Sequence, residues 1–116
     1  MGWRLAKQIG RLDIGQCVVV AGGSVTAVEA IDGTDATIAR GGALGHGKAV
    51  VAKVCKPNQD FRFDVPAIGA KTIEIMHQAN AKVLAVEAGR AVVFDREEMI
   101  ALADRYNIAI LAVDDL

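Results

Sequence analysis

Six short runs rich in Val, Ile and Ala, none longer than eight residues, alternate along this chain with segments of helical spacing. That alternation constrains the fold more than any other feature. Short β-branched runs bounded by Gly and Asp read as strands, and amphipathic stripes between them read as helices, which together define an α/β domain. The runs are "CVVVAGG" (17–23), "SVTAVEAI" (24–31), "AVVAKVCK" (49–56), "KVLAVEAG" (82–89), "RAVVFD" (90–95) and "IAILAVD" (108–114). The "AGGS" junction between the first two predicts a β-hairpin. A second hairpin is predicted from 82–89 and 90–95.

Between the runs, "WRLAKQIGRL" (3–12) places Trp3, Leu5, Ala6, Ile9 and Leu12 at helical spacing, interrupted by Gly10. "DGTD" (32–35) is a helix-start signal in which Asp32 or Thr34 can accept from exposed backbone N–H groups and Asp35 suits the first turn. The helix is predicted to run to about Ala43, with "GGALGHGK" as a Gly-rich loop after it. "PAIGAKTIEIMHQANA" (66–81) carries a stripe of Ile68, Thr72, Ile73, Ile75, Met76 and Ala79, with Pro66 tolerated in the first turn. "REEMIALADRY" (96–106) has Asp95 as N-cap and Glu98 three residues on, a capping-box arrangement. The predicted fold is a single α/β domain over 1–116, a mixed β-sheet with covering helices. Strand, turn, strand, helix, strand occurs at 17–56 and again at 82–114, which suggests two ββαβ halves.

At 116 residues the chain suffices for one domain with a core, and a net charge of −1 without a Lys/Arg stripe argues against a nucleic-acid partner. No apolar run approaches the roughly 18–20 residues of a membrane span. "MGWRLAKQIG" has neither a secretory h-region nor a myristoylation signal. Cys17 and Cys55 form no C-x-x-C pair and read as reduced, buried apolar residues, which favours a cytoplasmic location.

"GALGHGK" (42–48) matches a phosphate-loop spacing, but it follows a helix, opens a strand and is followed by Ala49 rather than Ser or Thr. The context is wrong for a nucleotide cradle, and a flexible connection with an exposed His46 is the simpler reading. His77 has no partner at metal-ligand spacing, so zinc is not expected. Glu29 and Glu87 occupy matching places within "AVEA". Whether each points to solvent or to a partner at a sheet face is open.

The most charged stretch is "KPNQDFRFDVPAIG" (56–69), which contains two of the three phenylalanines. If 59–64 is extended, Phe61 and Phe63 share one face while Asp60, Arg62 and Asp64 share the other. The aromatics would anchor the segment and display a carboxylate–guanidinium–carboxylate row, with same-face neighbours about 7 Å apart, within reach of one metal ion or phosphate. Lys56 and Gln59 add a cation and an amide. The plain alternative is an edge segment whose charges discourage aggregation.

"IGRLDIGQ" (9–16), "VTAVEAIDGTDATIAR" (25–40), "KPNQDFRFDVPAIG" (56–69), "EAGRAVVFDRE" (87–97) and "LAVDDL" at the end come in an order that spans nearly the whole chain. Together they resemble the C-terminal domain of the bacterial UDP-2,3-diacylglucosamine pyrophosphatases of lipid A synthesis, the metal-dependent type unrelated to calcineurin-like phosphoesterases. The resemblance implies hydrolysis of UDP-2,3-diacylglucosamine to UMP and 2,3-diacylglucosamine 1-phosphate with Mg²⁺. It also implies a Rossmann-like N-terminal domain and a lipid product lying between the two domains. That domain is missing here, so the fragment is expected to be inactive alone. Carried over by resemblance, Asp64 is the catalytic aspartate, and Asp60 fits as a second acid. Both are metal-ligand candidates. Lys56, Gln59, Arg62, Thr34, Asp35 and Arg40 are candidates for phosphate and sugar contacts. Asp32 stands where a Glu would be expected. A homodimer and a peripheral contact with the inner membrane stay open. The competing reading is a non-catalytic ligand-binding or dimerisation module whose charged row is structural.

Overall fold

The computed structural model describes residues 1–55, 67–89 and 91–113. The elements are α1 (Gly2–Arg11), β1 (Cys17–Ala21), β2 (Ser24–Val28), α2 (Thr34–Gly45), β3 (Ala49–Lys53), β4 (Ala67–Ile68), α3 (Ala70–Gln78), β5 (Ala81–Glu87), β6 (Val92–Val93), α4 (Arg96–Tyr106) and β7 (Ala109–Val113). Five strands form one mixed sheet in the order β2-β1-β3-β5-β7, and β4 pairs with β6 in a separate two-stranded piece.

Strand β1 is antiparallel to both β2 and β3, whereas β3, β5 and β7 are parallel. Hence the carboxyl ends of β2, β3, β5 and β7 and the amino end of β1 share one edge of the sheet. Every loop described below as a candidate site leaves from that edge.

Alternation sorts the side chains onto two faces. Cys17, Val19, Val51, Leu84 and Val86 point into the larger core, with Ile38 of α2, Ile73 and Met76 of α3 and Met99 of α4. Val18, Ala52 and Val54 point the other way, where Ala6 of α1 covers them. Helix α1 buries Gly2, Ala6 and Gly10 at four-residue spacing. Gly10 therefore does not interrupt the helix; it belongs to its sheet-facing stripe, while Leu12 is the exposed C-cap.

The β1–β2 hairpin forms as predicted around Gly22 and Gly23, both at positive φ (57° and 82°), the backbone that a two-residue turn of this hand requires. The second predicted hairpin does not form. Both lateral edges of β5 are already paired, to β3 and to β7, so no edge is left for β6, which pairs with β4 instead. The two suggested ββαβ halves are therefore not equivalent: β1 runs antiparallel to β3, while β5 runs parallel to β7.

Helix α2 extends through the glycines predicted as loop. Gly41, Gly42 and Gly45 are buried, and a Cβ on Gly42 or Gly45 would lie 2.5 Å from Ala79 Cβ or 2.8 Å from Ala49 Cβ. Close seating against the sheet and α3 outweighs the poor helix propensity of glycine. Because Gly42–Gly45 is helical, "GALGHGK" cannot wrap a phosphate as a loop, and His46 is an exposed, left-handed C-cap. Helix α3 starts at Ala70, after β4, rather than at Pro66. Asp95 is the N-cap of α4 as predicted. It adopts a left-handed conformation (φ 50°) with no side-chain cap bond, so the capping box with Glu98 is not made.

Candidate functional site at the carboxyl edge of the sheet

Two carboxylates organise this edge. Glu29 follows β2 and is 8% exposed. Its Oε1 accepts the Gln16 N–H at 2.6 Å, and its Oε2 accepts the Thr34 hydroxyl at 2.7 Å. Glu29 thus ties the entry of β1 to the first turn of α2. Glu87, the last residue of β5, is 7% exposed. Its Oε1 accepts the Cys55 N–H at 3.0 Å, and both its oxygens accept from Lys7 Nζ of α1 at 3.3 Å. The matching "AVEA" glutamates therefore both turn inward, and each holds a backbone amide at this edge. The two anchors are linked, since Val54 N–H donates to Gln16 O at 2.9 Å.

A buried cation lies between them. Lys53 ends β3, opposite Cys17 of β1, and is 7% exposed. Its Nζ donates to Ala67 O at 2.7 Å. Burial pushes the Lys53 ammonium below its ordinary range, against the pull of Cys17, Glu29 and Asp35. Burial, and then the Glu29 carboxylate, push the Cys17 thiol up to about 12. Cys17 and Cys55 are buried and form no disulfide, as expected.

Helix α2 opens at this edge on Gly33 (φ 88°), which has no side chain to cap it. Neither Asp32 nor Thr34 caps the helix, contrary to expectation. Thr34 spends its hydroxyl proton on Glu29. Asp32 instead accepts from Arg40 Nη2 at 2.8 Å and Nε at 3.2 Å, and from Ala30 N–H at 3.3 Å. The Arg40 hydrogen bond, aided by Ala30, holds the Asp32 carboxyl below the usual carboxylate range. Arg40 also donates to Val28 O at 3.3 Å, so its guanidinium staples the 28–32 turn to α2. Asp35, in the first turn, lies 4.0 Å from the exposed Lys71 ammonium.

Of the predicted contacts, Thr34 and Asp35 are adjacent at the start of α2, and Arg40 is engaged with Asp32. Lys56, Gln59, Asp60, Arg62 and Asp64 lie outside the described residues. The two ends from which that segment leaves are defined: Cys55 is held by Glu87, and Ala67 by Lys53. Sequence reading missed Lys53 and Lys7. The signal for Lys53 was present, since a lone lysine in "AVVAKV" has apolar neighbours on both sides and belongs to a strand covered on both faces.

On the α4 side of β5 and β7 a cavity of about 700 Å³ opens, lined by Ile68, Val86, Met99, Ile100, Ile108 and Ile110 among others. Among the described residues no group of three or more His, Cys, Asp or Glu side chains could hold a metal ion. No helix among them is long and apolar enough to cross a membrane.

The chain is an α/β domain whose mixed sheet has two parallel and two antiparallel pairings, with polar groups gathered at the carboxyl strand ends, where open α/β sheets commonly take ligands. More particularly, the chain belongs to the LpxI C-terminal domain family, whose profile matches residues 1–111. It is 46% identical over 118 aligned positions, 95% of this chain, to the UDP-2,3-diacylglucosamine pyrophosphatase LpxI of Caulobacter vibrioides. The chain spans 42% of that relative's length.

Proposed function

We propose that the chain is the catalytic C-terminal domain of a UDP-2,3-diacylglucosamine pyrophosphohydrolase, which uses water and Mg²⁺ to yield UMP and 2,3-diacylglucosamine 1-phosphate in lipid A biosynthesis. The observation that carries this reading is the 46% identity to the Caulobacter enzyme across 95% of the chain. Asp64 serves as the catalytic aspartate and Asp60 as the second acid. Lys56, Gln59 and Arg62 neutralise and orient phosphoryl oxygens, since charge on those oxygens is the main electrostatic demand of the reaction.

The described edge supports this assignment with groups of suitable chemistry. The uncapped amides at the start of α2 suit an anion. Thr34 holds that turn in register through Glu29 rather than spending its proton on substrate. Asp35 can only accept, which suits a sugar hydroxyl better than a phosphate oxygen. The cavity beside β7 is lined mostly by apolar side chains, with Glu87, Arg96 and Asp104 also on its wall, and its apolar part suits hydrocarbon. Mg²⁺ commonly takes one or two protein carboxylates, with waters and substrate oxygens completing the shell. By the family resemblance, Asp60 and Asp64 are the carboxylates that would hold it. A second domain completes the site, and the enzyme works in the cytoplasm against the inner membrane, where a diacylated substrate resides.

The full-length protein with Mg²⁺ and UDP-2,3-diacylglucosamine should release UMP, and the 116-residue chain alone should not. Asp64→Asn should lower turnover on the order of 10³-fold or more while the protein still folds. Near wild-type turnover in that variant would remove Asp64 from the mechanism. Absence of UMP from the wild type would favour the non-catalytic module.

A further inference from the structure

The fold buries an ammonium where a neutral side chain would serve packing better. Lys53 is 7% exposed, and Ala67 O at 2.7 Å is its hydrogen-bond partner among the described residues. Cys17, Glu29 and Asp35 face it as titratable groups, yet none forms an ion pair with it. Taking an ammonium out of water costs more than one hydrogen bond to a neutral carbonyl returns, and methionine would fill the same space without that penalty. Stability does not explain the lysine.

Its placement does. Lys53 and Val86 are partners across β3 and β5, and Glu87 is the next residue along β5. Glu87 grips the amide of Cys55, and Lys53 grips the carbonyl of Ala67. Two ionisable groups on neighbouring strand ends thus hold the two points between which residues 56–66 are strung. Ala67 and Ile68 then pair with Val92 and Val93, and Ile68 O accepts the Phe94 N–H at 2.9 Å.

We propose that Lys53 is a positioning residue for the pyrophosphatase reaction: it pins the Ala67 carbonyl and thereby fixes the root three residues after Asp64. The role rests on the function proposed above. A misplacement of about 1 Å in a reacting group costs about 10²-fold in rate. In the full-length enzyme, Lys53→Met should therefore lower kcat by about 10²-fold with KM within about threefold. Its melting temperature should be equal to or above wild type, because the buried charge is gone. Lys53→Arg, which keeps a donor for Ala67 O, should regain at least about tenfold of the lost kcat. Hydrogen exchange in the 116-residue chain reads the pin without turnover. Lys53→Met should speed exchange of the Phe94 amide by about tenfold or more, with Val51 and Leu84 unchanged, because only local opening is affected.

A kcat within about threefold of wild type in Lys53→Met, or a loss confined to KM, overturns the proposal. If the wild-type enzyme releases no UMP, the functional reading fails, and the Phe94 amide then decides the pin alone. Faster exchange upholds it, and unchanged exchange overturns it.

Discussion

Replacing Glu29 by alanine removes both acceptors that join the start of β1 to the start of α2. The lost contacts are short, 2.6 Å to Gln16 N and 2.7 Å to Thr34 Oγ1, and the group is 8% exposed, so water replaces them poorly. Hydrogen bonds to an ionised acceptor contribute roughly 1.5–3 kcal/mol each. The two together give about 3–6 kcal/mol, offset by relief of burying the charge, for a net loss of about 3 kcal/mol. At roughly 4 °C per kcal/mol for a domain of this size, the melting temperature should fall by about 12 °C. Glu29→Gln separates hydrogen bonding from charge. Its oxygen still accepts the Gln16 N–H, and Thr34 turns its hydroxyl to accept from the amide, so about 1 kcal/mol, or about 4 °C, should be lost. Thermal melts followed by circular dichroism at neutral pH measure both. An alanine variant within about 3 °C of wild type, or a glutamine variant as damaged as the alanine one, would refute the view that Glu29 joins these two elements.

Further expectations concern the core. A Cβ on Gly41 would overlap Val19 Cβ and lie 2.7 Å from its Cγ1. Gly41→Ala should therefore cost about 1–3 kcal/mol in urea unfolding with an unchanged m-value. Cys17 gives an alkaline signature. The folded thiol, pushed from 9.0 to about 12, keeps a proton that the unfolded chain releases above pH 9. Stability should thus fall between those values by up to about 1.4 kcal/mol per pH unit. Lys53 opposes this up to its ordinary 10.5, because the folded chain sheds that proton first. Wild-type urea midpoints should consequently fall more steeply beyond pH 10.5 than just below it, whereas Cys17→Ala should hold or rise as the pH increases toward 10.5.

The alternation of apolar runs and helical stripes made the strands, helices and mixed sheet legible. β6 was misassigned because local sequence cannot show that both edges of β5 are taken by distant strands. The glycines of α2 read as loop because propensity is local, whereas their helical seat against Val19, Ala79 and Ala49 is tertiary. The cap of α2 was placed one residue off for a related reason: Asp32 is drawn away by Arg40, eight positions on. At the candidate site, the position of Thr34 and Asp35 in the first turn of α2 was legible. The inward turn of Glu29, Glu87 and Lys53 was not, since periodicity assigns a residue to a face without saying whether something covers it. The family resemblance pointed to residues 56–64, which lie outside the described residues, so their roles rest on that likeness.

The glycine seat of α2 also bears on recognition. With Gly41, Gly42 and Gly45 pressed against side chains behind them, the helix has no slack to slide toward an incoming group. A ligand that met the start of this helix, as the proposed function would have it, would find backbone donors already oriented by folding, and little ordering entropy would be left to spend on association.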